Sequence, residues 1–155
     1  MVRLVMTVTM ALLLVSPHVA AEQADPLATI EVRRQGFKDM GAAFKGIRDQ
    51  FRRPKPALVM IREYTKPLVN YSKEPVLESW FPQGSGPGPG VDTEALPVIW
   101  ERPGDFAALW DAYVQATGKL QAAVAAGNLD AAREGAREVG NTCAKCHDTF
   151  RQAED

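Results

Sequence analysis

Hydrophobic residues in the first half of the chain recur at the spacing of an α-helix. Asp25 and Pro26 form a helix start, because the carboxylate can cap the first turn and proline suits the first helical position. The apolar positions that follow are separated by seven, three, four, three and four residues: Ile30, Phe37, Met40, Phe44, Ile47 and Phe51. This pattern predicts one long helix that ends before Pro54 and Pro56.

A second helix is predicted over residues 57–71, where Ile61 and Leu68 share one side. Pro67 lies inside this segment and is expected to kink or end the helix. Residues 79–97, SWFPQGSGPGPGVDTEALP, are rich in glycine and proline and cannot form a regular element. Since the segments on either side are too short to bury good cores of their own, this stretch is interpreted as a crossover between two helices.

Two further helices follow the crossover. Residues 103–105 begin the third helix and Gly127 ends it. Its apolar face consists of Phe106, Leu109, Tyr113, Leu120 and Val124. Asn128 or Asp130 caps the fourth helix. The apolar positions of that helix come in steps of three and four: Leu129, Ala132, Ala136, Val139, Cys143, Cys146 and Phe150. With no strand pattern, the chain is predicted to be an all-α, antiparallel four-helix bundle with a long crossover between its second and third helices.

The N-terminus carries a different pattern. Arg3 provides a positive start, residues 4–15 are apolar, Pro17 breaks the run and residues 19–21 are small. This order is typical of a secretory signal peptide, and the run is too short to span a bilayer. The alternative is a buried N-terminal core helix. We expect cleavage after residue 21, a bundle over 22–155, export to a bacterial periplasm, and no membrane span in the mature chain.

The charge balance excludes some partners. The chain has 18 Lys and Arg, 19 Asp and Glu, and a formal net charge of −1. Removing residues 1–21 removes one positive charge, Arg3, and changes the net charge from −1 to −2. No basic stripe for nucleic acid and no polybasic membrane patch is present, so neither is predicted as a partner.

The two cysteines of the chain, Cys143 and Cys146, stand directly before His147 in the sequence CAKCH. C-x-x-C-H is the attachment pattern of c-type haem. Two thiols about one helical turn apart can add to vinyl groups on neighbouring pyrroles. His147 then lies under the iron and supplies an axial nitrogen ligand. The motif predicts one covalently attached haem c.

Other interpretations of the cysteine pair stay open. A thioredoxin-like pair would stand at a helix N-terminus beside a strand and would have a lowered thiol pKa. A disulfide between neighbouring turns would close a tiny loop and stabilise little. A zinc site would need a fourth ligand, whereas the other histidine, His18, lies in the predicted signal peptide. Export and the helical setting favour haem.

The chain resembles the cytochrome c′ family, the four-helix class of c-type cytochromes and a known example of the up-down bundle. The resemblance covers nearly the whole mature chain. It rests on VRRQGFKDMG in the first helix, FPQGSG in the crossover, PVIW before the third helix, and VGNTCAKCHDTFR at the end. Residues 64–80 depart from the family because they are longer and richer in proline. The resemblance implies a homodimer through the first two helices.

The resemblance also implies roles around the iron. The family's distal position lies four residues after Arg33, at Phe37, and a register slip of one would place Lys38 there. Phe37 has no lone pair for a metal. The resemblance therefore implies a five-coordinate, largely high-spin iron in an apolar pocket that admits NO and CO. Low-spin relatives carry methionine at this place, so Met40, one turn further on, is either the alternative sixth ligand or ordinary core.

Further candidates surround the predicted haem. Guanidinium groups match carboxylates, so three residues are candidates to hold the propionates, or else lie on the wet face of the helix: Arg33, Arg34 and Gln35. The resemblance implies that Arg151 lies by the proximal haem edge; the alternative is a solvated terminal side chain. Trp100 is predicted to pack the core against the haem, and Trp80 and Trp110 are assigned to packing or an interface.

Two functional classes follow from these residues. The first is a gas-binding protein whose vacant iron position captures NO or CO. The second is an electron carrier with Met40 as sixth ligand, serving periplasmic redox partners. No distal His or Arg is expected where it could cleave an O–O bond, so the chain is not predicted to be an enzyme.

Overall fold

The computed structural model describes residues 25–153. Helices dominate this part of the chain: α1 Pro26–Phe51, α2 Leu58–Tyr71, α3 Val76–Ser79, α4 Val98–Glu101, α5 Pro103–Ala125 and α6 Leu129–Phe150. The four long helices form a bundle in which α1 and α5 each contact both α2 and α6. The predicted all-α four-helix bundle is therefore confirmed. The predicted signal peptide lies outside the described residues, and none of the described helices combines the length and apolarity needed to cross a bilayer.

Helix α1 begins where the sequence predicts, because the Asp25 carboxylate accepts a hydrogen bond of 3.0 Å from the Leu27 N–H. Its buried face is rotated from the predicted one. Arg33 and Gly36 are buried, whereas three predicted core residues are only half-buried: Phe37, Phe44 and Phe51. Arg33 is buried because its guanidinium donates hydrogen bonds to Ser85 and Thr93 of the crossover, and Gly36 is buried because Trp80 of the crossover packs on it.

Helix α2 runs from Leu58 to Tyr71 with Pro67 inside it, so of the two expected effects, a kink or an end, Pro67 does not end the helix. Ile61 and Leu68 on either side of Pro67 are fully buried, where α2 packs between α1 and α5. This packing keeps the segment helical although proline removes one backbone donor.

The ends of α5 and α6 follow the predicted chemistry. Gly127 has a φ of 71°, the left-handed conformation that suits glycine after a helix C-terminus. Asn128, and not Asp130, caps α6, since its side chain accepts a hydrogen bond of 3.0 Å from the Ala131 N–H. The PVIW segment forms the short helix α4 at the end of the crossover.

The crossover between α2 and α5 is tied to the last residues of α6. Leu96 donates its N–H to the Phe150 carbonyl at 3.0 Å, and Gln152 donates to the Glu94 carbonyl at 2.7 Å. These bonds surround an isolated antiparallel bridge between Ala95 and Arg151. The end of the crossover is thereby held beside the C-terminal end of α6, where the cysteine motif lies.

Candidate functional site

A cavity of about 590 Å³ lies between α1, α5, α6 and the crossover. This volume is within the range of roughly 300–1,000 Å³ that is usual for small-molecule and cofactor sites. Apolar and aromatic side chains make up most of its wall: Phe37, Met40, Phe44, Leu68, Phe81, Ile99, Phe106, Leu109, Trp110, Tyr113 and Phe150. Such a wall suits a large, flat, apolar group.

Helix α6 brings the predicted motif residues together on this cavity. Cys143, Cys146 and His147 all line it. Their spacing of three and four residues places them on one side of a helix. The two thiols are half-buried, and the imidazole is exposed. The helix therefore presents two sulfurs and an imidazole to one largely apolar cavity.

The pKa shifts of the two thiols argue against a redox-active dithiol. Burial raises the pKa of the Cys143 thiol. Burial and then the neighbouring Cys143 raise the pKa of Cys146 to about 11. A reactive dithiol needs the opposite shift, because the thiolate is the nucleophile. Across residues 25–153, no cluster of three or more His, Cys, Asp or Glu side chains could hold a metal ion.

The residues present fit a c-type haem. Two thiols and an imidazole share one wall, the remaining wall is largely aromatic, and guanidinium groups stand at its edge. This donor set matches thioether attachment with one axial histidine.

Arg33 lies at the cavity edge with only 3% of its surface exposed. It donates hydrogen bonds from Nη1 to the Ser85 carbonyl at 2.8 Å and from Nη2 to Thr93 Oγ1 at 2.5 Å. Its guanidinium stacks over the Phe81 ring at 4.9 Å. All of these partners are neutral, and no carboxylate of the described chain pairs with it. Burial lowers the pKa of Arg33 to about 10, so the side chain keeps its positive charge at neutral pH.

The other two propionate candidates are placed differently. Arg34 lines the cavity and forms an exposed ion pair of 3.3 Å with Asp92 of the crossover. Gln35 is exposed, lies outside the cavity and donates a hydrogen bond of 2.7 Å to Asp39. The rotation of the α1 buried face toward Arg33 carries Gln35 away from the cavity, since successive helical residues are about 100° apart.

Arg151 lines the cavity beside His147. Its Nε donates a hydrogen bond of 2.6 Å to Glu94, which also lines the cavity. This hydrogen bond holds the pKa of the Glu94 carboxyl below its usual range. Arg151 is thus held at the cavity by the crossover as well as by its own helix.

All three candidates for the distal position lie on α1 and line the cavity. Phe37 lies there half-buried, with its ring centroid 5.0 Å from that of Trp80. Met40 is buried and Lys38 is exposed, and both also line the cavity. Of the three, only Phe37 lacks a lone pair.

The outcome differs between two of the tryptophans. Trp110, assigned to packing or an interface, is buried in the core and in addition lines the cavity; its place four residues after Phe106 and three before Tyr113 was the available signal for this second role. Trp100 does not line it. Its indole N–H donates to the carbonyls of Phe81 and Pro82 at 3.0 and 3.1 Å, so the side chain anchors the crossover.

Comparisons with known proteins bear on the same region. The family model for cytochrome c′ matches residues 28–151. A cytochrome c-554 from Cereibacter sphaeroides is 48% identical over 73 residues, which cover 46% of this chain and 46% of that relative. The match spans about half the length of the two cytochromes c-554.

Longer matches are weaker in identity. A cytochrome c′ from Pararhodospirillum photometricum is 27% identical over 130 residues, 83% of this chain and 100% of the relative. Among solved structures, a nitric oxide complex of a mutant cytochrome c prime from Alcaligenes xylosoxidans has a TM-score of 0.71 and 27% identity. That match covers 86% of this chain and 100% of the other.

Proposed function

The chain belongs to the cytochrome c′ family, and from this premise we propose that it is a haem protein that binds NO and CO. One haem c is attached through Cys143 and Cys146, with His147 as the single axial ligand. The observation that carries the proposal is one cavity lined both by this motif and by Phe37. The relative from Alcaligenes xylosoxidans, described as a nitric oxide complex, supports the choice of ligand.

The side chains of the cavity determine which ligands it accepts. When bound, the haem supplies an iron with a vacant position for a diatomic gas. Phe37 offers no lone pair and keeps this position free of a protein ligand. The aromatic wall excludes water and favours small neutral molecules, because an apolar surface solvates charged ligands poorly.

Charged residues at the cavity edge are assigned to the haem carboxylates. Arg33 is a buried cation with neutral partners only, and an anionic propionate would compensate its charge. Arg34, which is exposed and lines the cavity, is assigned to a second propionate. Arg151 is assigned to the proximal side, near His147. Gln35 has no role in this proposal because it lies outside the cavity.

A second candidate function rests on Met40. This side chain is buried and lines the same cavity from α1. As sixth ligand it would close the iron to gases and give a low-spin electron carrier for periplasmic redox partners.

The deciding measurement is the absorption and EPR spectrum of the haem-loaded protein, ferric and ferrous, with and without NO. Gas binding predicts a high-spin, five-coordinate iron that takes up NO directly, with the same spectrum in Met40→Leu. A low-spin iron that resists NO, and that becomes high-spin in Met40→Leu, would establish the electron carrier. Absence of haem would overturn both candidates.

We further propose that the mature protein is periplasmic and forms a homodimer through α1 and α2. Within residues 25–153, the large hydrophobic side chains that are exposed lie on these two helices: Leu27, Val32, Val59 and Met60. Sedimentation velocity tests the assembly. We expect a dimer that Val59→Asp dissociates, whereas a monomer at every concentration would contradict the proposal.

A further inference from the structure

Four oxidisable rings connect the cavity with the protein surface. Tyr113 and Trp110 line the cavity, and their ring centroids are 5.0 Å apart. Trp110 contacts Trp80 at 6.0 Å, and Trp80 contacts Tyr71 at 5.5 Å. Tyrosine and tryptophan are the aromatic side chains that give up one electron most readily, so this series of rings, which we call the ring chain, is a possible electron route.

The outer end of the ring chain has a proton acceptor. Tyr71 is half-buried and donates its phenolic hydrogen to Asp39 Oδ2 at 2.8 Å. Both residues line a surface depression together with Asn70 and Glu74. The hydrogen bond to Asp39 raises the pKa of Tyr71, because the adjacent carboxylate disfavours a phenolate. The same carboxylate can take the phenolic proton when Tyr71 loses an electron.

The inner end has no such base. Tyr113 is buried and donates its hydroxyl to the backbone carbonyl of Leu68 at 2.8 Å. A peptide carbonyl does not accept a proton at neutral pH, so an oxidised Tyr113 could not release its own. Electron loss is therefore easier at Tyr71 than at Tyr113, which sets the direction of the route.

We propose that the ring chain carries an electron from Tyr71 to the cavity when ferrous haem reacts there with hydrogen peroxide. This inference rests on the proposed haem attachment. The peroxide takes up two electrons and two solvent protons in a single turnover, its O–O bond breaks without a distal His or Arg because solvent supplies the protons, and two molecules of water form. One electron comes from the iron, which becomes ferric, and the other from Tyr71, whose phenolic proton passes to Asp39.

The route protects the cavity. Supplying the second electron from Tyr71 avoids the release of a hydroxyl radical next to the haem and moves the oxidation to the surface. There a reductant such as ascorbate returns one electron to Tyr71, and the proton returns from Asp39.

The test mixes ferrous haem-loaded protein with one equivalent of hydrogen peroxide, then uses freeze-quench EPR and peptide mapping. We expect a tyrosyl radical and oxidation products at residue 71, and loss of most of that signal in Tyr71→Phe. Tyr64→Phe is the matched control, because Tyr64 lines the same depression but makes no ring contact with the ring chain within the described residues. We expect Asp39→Asn to lower the radical yield as well.

The outcomes separate this inference from the proposed function. A protein without the haem absorption band before peroxide is added would overturn both. Normal haem and NO binding, with the same radical in Tyr71→Phe or with oxidation confined to Trp110 and Tyr113, would overturn the electron route alone. Trp80→Phe keeps a ring but is hard to oxidise; if it folds by circular dichroism, it should reduce the radical at Tyr71 severalfold.

Discussion

At Gly36, Trp80 of the crossover packs directly against the backbone of α1. A Cβ atom at this position would lie 2.3 Å from Cη2 of Trp80, a contact that real side chains do not make. The restriction is one of space, since Gly36 has ordinary helical backbone. The buried stack of Trp80 on α1 therefore depends on the absence of one methyl group.

Replacing Gly36 tests this contact. Gly36→Ala is expected to lower the free energy of unfolding by about 1–3 kcal/mol, because Trp80 must shift from a packed site. Gly118→Ala is the control, since a Cβ there meets nothing within 4 Å and α5 should gain about 0.5–1 kcal/mol. Urea denaturation measures both. Equal stability of the two variants would show that Trp80 moves without cost.

Arg33 and its neighbour in sequence allow a second comparison. Arg33→Lys is expected to lower the free energy of unfolding by about 2 kcal/mol, because one ammonium cannot replace a fork that bonds both Ser85 and Thr93. Arg34→Lys, at an exposed ion pair, should change it by less than about 0.5 kcal/mol. Thermal unfolding followed by circular dichroism distinguishes the two. A larger loss at Arg34 would contradict this assignment.

At the scale of the element, the ends of the long helices follow from capping chemistry. Asn128→Ala is expected to cost about 1 kcal/mol, because the N–H of Ala131 loses its acceptor. Asp130→Ala, in the same first turn but not at the cap, should cost less. Denaturant midpoints of the two variants give the comparison, and the reverse order would identify Asp130 as the cap.

The elements also show where prediction from sequence succeeds. Periodicity and caps predicted all four long helices and their order, because these signals are local. The short helix α4, the passage of α2 through Pro67 and the burial of Arg33 were not predictable in this way. Each depends on a distant residue: Phe81 packs against Trp100 of α4, Tyr113 bonds to Leu68 of α2, and Ser85 bonds to Arg33. For the same reason the motif located the cavity wall on α6, but not the contribution of Trp110.

At the scale of the whole molecule, the crossover and the C-terminus close the fold together. The Ala95–Arg151 bridge and the Glu94–Arg151 ion pair join the segment that precedes α5 in the sequence to the residue that follows α6. The positive charge of Arg34 also lowers the pKa of the Glu94 carboxyl. A polar clasp therefore spans the edge of the cavity.

This clasp predicts a pH dependence. The hydrogen bond from Arg151 lowers the pKa of Glu94 from its ordinary value of 4.5, so its stabilising effect is present above that value. The effect is lost as the pH falls through the lower, folded-state pKa. Glu94→Gln should reduce stability modestly at pH 7, and the difference from the unaltered protein should vanish in strong acid. Thermal melts against pH measure this, with the exposed Glu31→Gln as control; a difference that persists in acid would contradict it.

The position of the three tryptophans has an optical consequence. Trp110 lines the cavity, and the ring of Trp80 contacts the ring of Trp110. Trp100 contacts Phe81, which also lines the cavity. All three tryptophans of the chain therefore lie close to the cavity. A haem in that space absorbs at the wavelengths at which indoles emit and quenches them by energy transfer. Loading the cofactor then dims the intrinsic fluorescence of the chain, and unfolding restores it. The intrinsic tryptophan fluorescence therefore reports whether the cavity is filled.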